Sequence, residues 1–123
     1  MVQASGHLNV QVYENLILAQ ILKDRVLEPA VISAISAELT ALLGRHPRPS
    51  VVLDLSRVAY ISSAMVGKLI AFYKGVMGLK GRLAIAGVRP ELMPLFKITQ
   101  IDRLIPFHVD AQTAILEYRR KPV

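Results

Sequence analysis

The chain has 123 residues, 53% of them hydrophobic, and contains no cysteine. This length suits one globular domain with one core, and the lack of cysteine excludes disulfide scaffolds, thiolate metal sites and cysteine nucleophiles. The formal net charge is +6, yet the Lys and Arg residues are scattered singly apart from Arg119-Arg120-Lys121. A solvated surface is therefore the first interpretation of the charge, an acidic protein partner the second and a nucleic acid the third.

The sequence offers no signal for a membrane or for export. Every apolar run is interrupted by a charge or a proline well before the ~18 residues of a transmembrane helix. Residues 1–6 have neither the basic nor the apolar region of a signal peptide. We therefore expect a cytoplasmic protein that neither inserts into a membrane nor binds nucleic acid directly.

The first part of the chain predicts a β-hairpin. Residues 8–13 alternate apolar and polar side chains, which is typical of a half-exposed strand. Residues 16–22 form a second apolar run, and the turn-like pair Glu14-Asn15 lies between the two. Two such runs joined by a short turn predict antiparallel pairing.

A helix follows over residues 28–43, because apolar residues recur there with a spacing of four. Pro29 suits the first turn, where its missing N–H costs nothing, and Glu28 adds a negative charge at the positive end of the helix dipole. Gly44 and the prolines after it predict the end of the helix. Its predicted buried face consists of Val31, Ile35, Leu39 and Leu42 with the small or apolar residues beside them.

The next unit is a strand followed by a helix, with two serines between them. Residues 50–55 are apolar on both faces, which predicts a central strand with both faces covered. Residues 63–79 have helical spacing of apolar side chains. Ser62 and Ser63 therefore lie at the mouth of this helix, where a hydroxyl can cap a backbone N–H and an anion can also bind.

The remainder of the chain alternates strands and helices. It predicts, in order, a strand at 83–87, a short helix at 90–96 limited by Pro94, a loop at 97–103, an edge strand at 105–109 containing Pro106, and a helix at 111–118 capped by Asp110. The predicted order ββαβαβαβα indicates an α/β fold: a mixed sheet with an opening hairpin and parallel crossovers, layered with helices.

Motifs for catalysis and metal binding are missing. His7, His46 and His108 have no second ligand at metal-binding spacing, and no phosphate-binding glycine loop or G-x-S-x-G motif occurs. Asp54, alone at the end of an apolar strand, is interpreted as structural. We therefore expect no enzyme activity, catalytic residue, metal or cofactor.

The stretch LDLSRVAYISSAMVG, residues 53–67, resembles the signature of STAS domains of the bacterial anti-sigma factor antagonist type. In that signature an apolar strand ends in D-[LF]-S, and x-V-x-[FY]-[MI]-D-S-[ST]-G-[LI]-G follows before a helix. Residues 87–91 and the region up to Ile101-Asp102 resemble the later part of these domains, including those of stressosome proteins. The ββαβαβαβα order is also the family's layout. The resemblance implies a single STAS domain over residues 1–123.

The STAS resemblance further implies a non-enzymatic interaction module that binds an anti-sigma factor, which itself acts as a serine kinase. The protein would then be a phosphoprotein that takes part in transcription regulation. In the family, phosphorylation of a serine at the start of the second helix breaks this complex, and a serine phosphatase resets it. Matching Leu53-Asp54-Leu55-Ser56 and Gly67 to the signature gives Ser63 as the phosphoacceptor, with Ser62 as the alternative. The implied partner-binding residues are Glu28, Ser62, Ser63, Ala64, Met65 and Lys68.

Two positions depart from the signature. Ser62 stands where the family usually has Asp, and Met65 stands where it usually has Gly. We expect Met65 to place a flexible apolar side chain near the serines and so to change the partner surface. The missing Asp leaves a second hypothesis open: a STAS module of another complex, such as a stressosome or a lipid or anion transport system, without phosphorylation switching.

Overall fold

A computed structural model describes residues 2–4 and 6–121 of the chain. The domain predicted over residues 1–123 also includes residues 1, 5, 122 and 123, which lie outside this description. In chain order the strands are β1 (Val2–Ala4), β2 (Leu8–Tyr13), β3 (Leu16–Ile21), β4 (Arg25–Val26), β5 (Ser50–Asp54), β6 (Tyr60–Ile61), β7 (Arg82–Ala86) and β8 (Phe107–His108).

The described helices alternate with these strands after the opening hairpin. They are α1 (Pro29–Leu43), α2 (Ser63–Gly78), α3 (Met93–Ile98), α4 (Ile101–Leu104) and α5 (Ala111–Arg120), with a 3₁₀ turn at Pro90–Leu92 before α3. Pro29 occupies the first turn of α1, and Asp110 caps α5 by accepting a 2.8 Å hydrogen bond from the N–H of Thr113. Both helix starts confirm the sequence prediction.

The main sheet has six strands in the order β1-β2-β3-β5-β7-β8. β2 and β3 pair antiparallel, which confirms the opening hairpin, and β3, β5, β7 and β8 run parallel. β5 lies between β3 and β7, and the side chains of Val51, Val52 and Leu53 are fully buried. The two-sided apolarity of this strand thus follows from its central position.

Helices cover the sheet on both faces. Val51 and Leu53 pack in the larger core with the buried faces of α1 and α2. Val52, which points the opposite way because side chains alternate along a strand, packs with Ala84 and Ala114 against α5. The small side chain of Ala84 in β7 lets α5 approach the sheet closely on this side.

Tyr118 and Arg82 fasten α5 to the sheet. The buried Tyr118 hydroxyl donates a 2.9 Å hydrogen bond to the carbonyl of Val51, and burial raises the pKa of this phenol above its ordinary range. The Arg82 guanidinium lies 4.1 Å from the centre of the Tyr118 ring and donates to the Ser50 hydroxyl and to the Tyr118 carbonyl, at 2.9 and 3.0 Å. The C-terminal end of α5 is therefore held at the start of β5 and β7.

The structure corrects several predicted elements. The loop predicted at 97–103 contains the end of α3 and most of α4, and the strand predicted at 105–109 is shortened to β8, which does lie at the sheet edge. In α1 Ile32 is buried together with Ile35, Leu39 and Leu42, whereas Val31 is only partly buried. The prediction of Val31 on the buried face is therefore wrong, because a spacing of three from Ile32 to Ile35 serves the same face as a spacing of four. β1, β4 and β6 were not predicted.

Tyr118→Phe removes the hydroxyl that binds the Val51 carbonyl and leaves this buried acceptor without its partner. We expect the free energy of unfolding to fall by about 1–2 kcal/mol, as for other lost buried hydrogen bonds. Chemical denaturation measures the change, and Tyr13→Phe, at an exposed tyrosine, is the matched control. Equal losses in the two variants would contradict the role assigned to Tyr118.

The Asp110 cap makes the end of the chain sensitive to acid. Hydrogen bonds from Thr113 lower the pKa of the Asp110 carboxyl, so the cap stabilises the fold above the unfolded-state pKa of about 4 and loses this contribution as the pH falls through the lower folded-state value. Asp110→Asn retains an N-cap acceptor that does not titrate. We expect the stability of the wild type to fall more steeply than that of Asp110→Asn below about pH 4, as measured by thermal unfolding across pH. Parallel curves would contradict the assignment.

Candidate partner-binding site

A small second sheet brings two helix starts together. β4 and β6 pair in parallel, with Arg25 opposite Tyr60 and Val26 opposite Ile61. The N–H of Ser62 donates a 3.1 Å hydrogen bond to the carbonyl of Val26. Since α1 begins three residues after Val26 and α2 two residues after Ile61, the N-termini of α1 and α2 are neighbours. Glu28 and the serine pair, which are far apart in sequence, therefore belong to one surface.

The two serines have different environments. Ser62 is the N-cap of α2, and its hydroxyl accepts a 3.3 Å hydrogen bond from the N–H of Met65. Ser63 is the first residue of the helix and its side chain is exposed. Within the described part of the chain, the Ser63 hydroxyl has no hydrogen-bond partner. One serine thus holds the helix end, and the other is available to solvent.

The other predicted site residues divide into exposed and buried positions. Glu28 is exposed at the N-cap of α1, and its carboxylate accepts no capping hydrogen bond from the helix. Ala64 and Lys68 are exposed on α2, and a spacing of four puts them on the same face. Met65 is fully buried in the core, so the expectation that its side chain contributes to the partner surface is wrong. It fills core space that a glycine would leave empty.

An apolar groove runs beside the serine pair. It encloses about 280 Å³ and is lined by Leu27, Tyr60, Leu92 and Leu95 together with Ala59, Ile61 and Glu91. Leu27 and Tyr60 are large apolar side chains left 39% and 53% exposed. The Arg25 guanidinium lies 4.8 Å from the centre of the Tyr60 ring, a cation–π contact that orients this ring. The groove gives this end of the domain an apolar contact area that reaches Ile61, the residue before Ser62.

The sequence analysis missed this groove. Its residues come from the connection after β4, from β6 and the residue before it, and from the 3₁₀ turn and α3, and each segment contributes at most three side chains. In the sequence Leu27 follows Val26 and Tyr60 stands between Ala59 and Ile61, so nothing local marks these two side chains as exposed. The apolar patch exists only once the chain segments are brought together.

The segment that leads into β6 is fixed by polar contacts. The Asp54 carboxylate accepts a 2.8 Å hydrogen bond from the N–H of Ser56 and a 3.4 Å bond from the amide of Gln20. The Arg89 guanidinium donates at 3.0 Å to the carbonyl of Ser56. Gly87 has a φ of +71°, and a side chain there would meet Asp54 Oδ1 at 3.1 Å. Asp54 thus has the structural role that the sequence predicted.

The described residues show no metal-binding cluster and no membrane-spanning helix. Among residues 2–4 and 6–121, no three His, Asp or Glu side chains converge as a metal site would require. No helix within the same residues is long and apolar enough to span a membrane. What the surface offers is an exposed hydroxyl, an apolar groove and a few charges at two helix N-termini, which suits contact with another macromolecule.

Comparisons with known proteins identify the family. A family model described as "Mlab, STAS domain" matches residues 26–106, about two thirds of the chain. No curated protein sequence matches. The chain belongs to the STAS domain family.

Solved structures share the fold. A STAS domain protein from Planctomyces limnophilus superposes with a TM-score of 0.81 at 20% identity, covering 89% of this chain and 96% of that one. An anti-sigma factor antagonist from Mycobacterium paratuberculosis gives 0.78 at 18%, covering 91% and 92%. The Bacillus cell-fate determinant SpoIIAA in its phosphorylated form gives 0.67 at 12%, covering 89% and 97%. At these identities the likeness concerns the fold, which is that of anti-sigma factor antagonists.

The different roles of the two serines predict different effects on stability. Ser62→Ala removes the N-cap of α2 and should lower the free energy of unfolding by about 1 kcal/mol. Ser63→Ala removes an exposed hydroxyl without a partner and should change it by less than about 0.5 kcal/mol. Chemical denaturation of the two variants, which differ by one position, checks this. A larger loss for Ser63→Ala than for Ser62→Ala would contradict the assigned cap.

Proposed function

We propose that the surface at the N-termini of α1 and α2 binds an anti-sigma factor that is itself a serine kinase, and that phosphorylation of Ser63 releases it. The observation that carries this proposal is the exposed Ser63 side chain at the first position of α2, two residues after Ile61, which lines an apolar groove. STAS membership and the fold shared with anti-sigma factor antagonists support the class of partner. The protein acts in this account as a cytoplasmic, non-enzymatic interaction module of transcription regulation.

Accessibility supports Ser63 over Ser62 as the modified residue. A kinase must bind the hydroxyl in its own active site, and the Ser63 side chain is exposed. The half-buried Ser62 hydroxyl already accepts from the N–H of Met65, so its modification would require loss of the α2 cap.

A phosphate on Ser63 would act differently on the domain and on the complex. It adds about −1.5 to −2 charges, which the positive end of the α2 dipole favours, so the domain stays folded. In a complex the same charge would be placed against a partner that covers Ser63 and the apolar groove. Desolvation of the phosphate and its repulsion from acidic groups there would weaken binding.

The partner surface of this proposal comprises Glu28, Ser62, Ser63, Ala64 and Lys68, with the groove residues Leu27 and Tyr60 added and Met65 omitted because of its burial. A serine phosphatase would remove the phosphate and restore binding. The N-cap of α2 is the neutral Ser62, where the family signature has Asp, and the N-cap of α1 is the acidic Glu28. Of the two caps, only Glu28 therefore carries a negative charge.

The replacement of the family's Asp by Ser62 favours a second candidate function. Ser62 lacks the charge of the family's Asp, and the matching family model carries the description "Mlab, STAS domain" rather than that of an anti-sigma factor antagonist. The protein would then be a STAS module of another complex, in a stressosome or a lipid or anion transport system, and would bind through the same surface without phosphorylation.

The two functions differ in a direct biochemical test. The wild type, Ser63→Ala and Ser62→Ala are each incubated with ATP and the serine kinases of anti-sigma factor type from the same genome, and intact mass is measured. We expect one phosphate on the wild type and on Ser62→Ala, and none on Ser63→Ala. A phosphate that persists in Ser63→Ala would contradict Ser63 as the site, and no phosphate on any variant would favour the function without switching.

A further inference from the structure

The end of the domain opposite to Ser63 collects the basic residues that are scattered in the sequence. The strands β3, β5 and β7 are parallel and in register at Leu16, Ser50 and Arg82, so the segments that precede them lie at one end. These segments are the β2–β3 turn, the α1–β5 loop and the α2–β7 loop, and the C-terminal end of α5 joins them. We call this surface the basic end; its cationic residues are Arg45, Arg48, Lys80, Arg82, Arg119, Arg120 and Lys121.

Specific contacts hold these segments against each other. The N–H of Arg82 donates a 2.9 Å hydrogen bond to the carbonyl of Pro49, which ties the α2–β7 loop to the α1–β5 loop. The Arg82 guanidinium donates to the carbonyls of Tyr118 and Lys121, which ties both loops to the end of α5. The β2–β3 turn joins them because the N–H of Ser50 donates at 3.1 Å to the carbonyl of Asn15.

The basic end carries almost the whole net charge of the protein. In these segments seven cationic side chains stand against two carboxylates, Glu14 and Glu117, a balance of +5 compared with +6 for the entire chain. Glu117 lies 3.4 Å from Arg120 and 3.8 Å from Lys121 in surface ion pairs, which contribute little to stability. Six of the seven cations are exposed. The positive electrostatic field is therefore concentrated at the basic end, and the rest of the molecule is nearly neutral.

Large apolar side chains are exposed near these charges. Met77 and Leu79 flank the end of α2 at 45% and 40% exposure, and Tyr13 before the β2–β3 turn is 47% exposed. Lysine and arginine next to exposed aliphatic and tyrosine side chains are typical of surfaces that contact the headgroup region of a bilayer. A nucleic acid would not use Met77 and Leu79, because phosphate recognition depends on cations and polar groups.

We propose that the basic end binds an anionic lipid surface. The charges come from three separate segments of the chain, so they face an extended plane of headgroups. Met77 and Leu79 contact the boundary between headgroups and acyl chains. The proposed attachment is peripheral and reversible, since it rests on surface charges and a few partly exposed apolar side chains.

Membrane attachment through this end leaves the Ser63 surface free. The basic end lies where β5 and β7 begin, and Ser63 follows the end of β5, so the two surfaces are at opposite ends of the sheet. One molecule can therefore contact a bilayer and a protein partner together. This inference does not depend on the partner or on phosphorylation of Ser63.

Vesicle co-sedimentation tests the inference on the full chain. Vesicles of phosphatidylcholine with phosphatidylglycerol in a ratio of about 7:3 are compared with pure phosphatidylcholine, at about 0.1 M and about 1 M salt. We expect binding to the anionic vesicles alone, and its loss at high salt. Arg119→Gln/Arg120→Gln/Lys121→Gln should lower the partition coefficient about a hundred-fold, since each cation near an anionic surface contributes roughly a factor of five.

A charge-matched variant provides the control. Lys23→Gln/Arg57→Gln/Arg103→Gln removes the same charge from exposed positions outside the basic end and should bind nearly as well as the wild type. A second basic-end variant, Arg45→Gln/Arg48→Gln/Lys80→Gln, should repeat the loss from different segments; circular dichroism confirms that each variant is folded.

Three results would overturn the inference. The first is absence of wild-type binding to the anionic vesicles, and the second is an equal loss in the basic-end and control variants, since diffuse charge would then explain the binding. The third is binding to a DNA duplex or to polyglutamate at the same salt without binding to vesicles. That result would assign the basic end to a nucleic acid or to an acidic protein instead.

Discussion

The pairing of two very short strands decides where the candidate partner-binding surface forms. β4 and β6 have two residues each, and their register is continued by the hydrogen bond from the N–H of Ser62 to the carbonyl of Val26. This pairing places the start of α1 beside the start of α2 and leaves Leu27 and Tyr60 at the rim of an apolar groove. Without it, Glu28 and Ser63 would belong to two unrelated helix ends.

Ser62 illustrates how the cap and the charge of a site can be separated. An Asp at this position, as in the family signature, can accept a hydrogen bond from the first turn and also carries a charge. Ser62 keeps the hydrogen bond to the N–H of Met65 and drops the charge. The cap at the start of α2 is therefore kept, and the position carries no charge. A neutral cap also reduces repulsion toward a phosphate on the neighbouring Ser63.

Patterns that extend over a whole element were predictable from the sequence. The alternation in β2, the two-sided apolarity of β5 and the helical spacing in α1 and α2 each repeat over several residues, so their period was readable. β4 and β6 are too short for any period, and only their pairing defines them as strands. The sequence predicts a loop at 97–103 because α4 has only four residues, too few to show a helical period.

For the surface around the serine pair and for the basic end, only features that depend on local sequence were predictable. The serine pair was located from local chemistry, since a hydroxyl between a strand and a helix has a recognisable role. Met65 was placed wrongly because its direction depends on the helix start, and a shift of one position separates the exposed Ala64 from the buried Met65. The scattered cations became a surface only when the sheet register brought three loops and a helix end together, and tertiary convergence of this kind leaves no signal in local sequence.

The central claim is that a protein partner binds at the joined N-termini of α1 and α2. Amide chemical shifts of the isotope-labelled protein, recorded while a partner that phosphorylates it or co-purifies with it is added, test this claim most directly. The account predicts changes concentrated at residues 27–28, 60–64 and 91–95, and weaker binding of Ser63→Glu at the same residues. Changes concentrated on α5 or on the strands β1 and β2, with residues 60–64 unaffected, would contradict it.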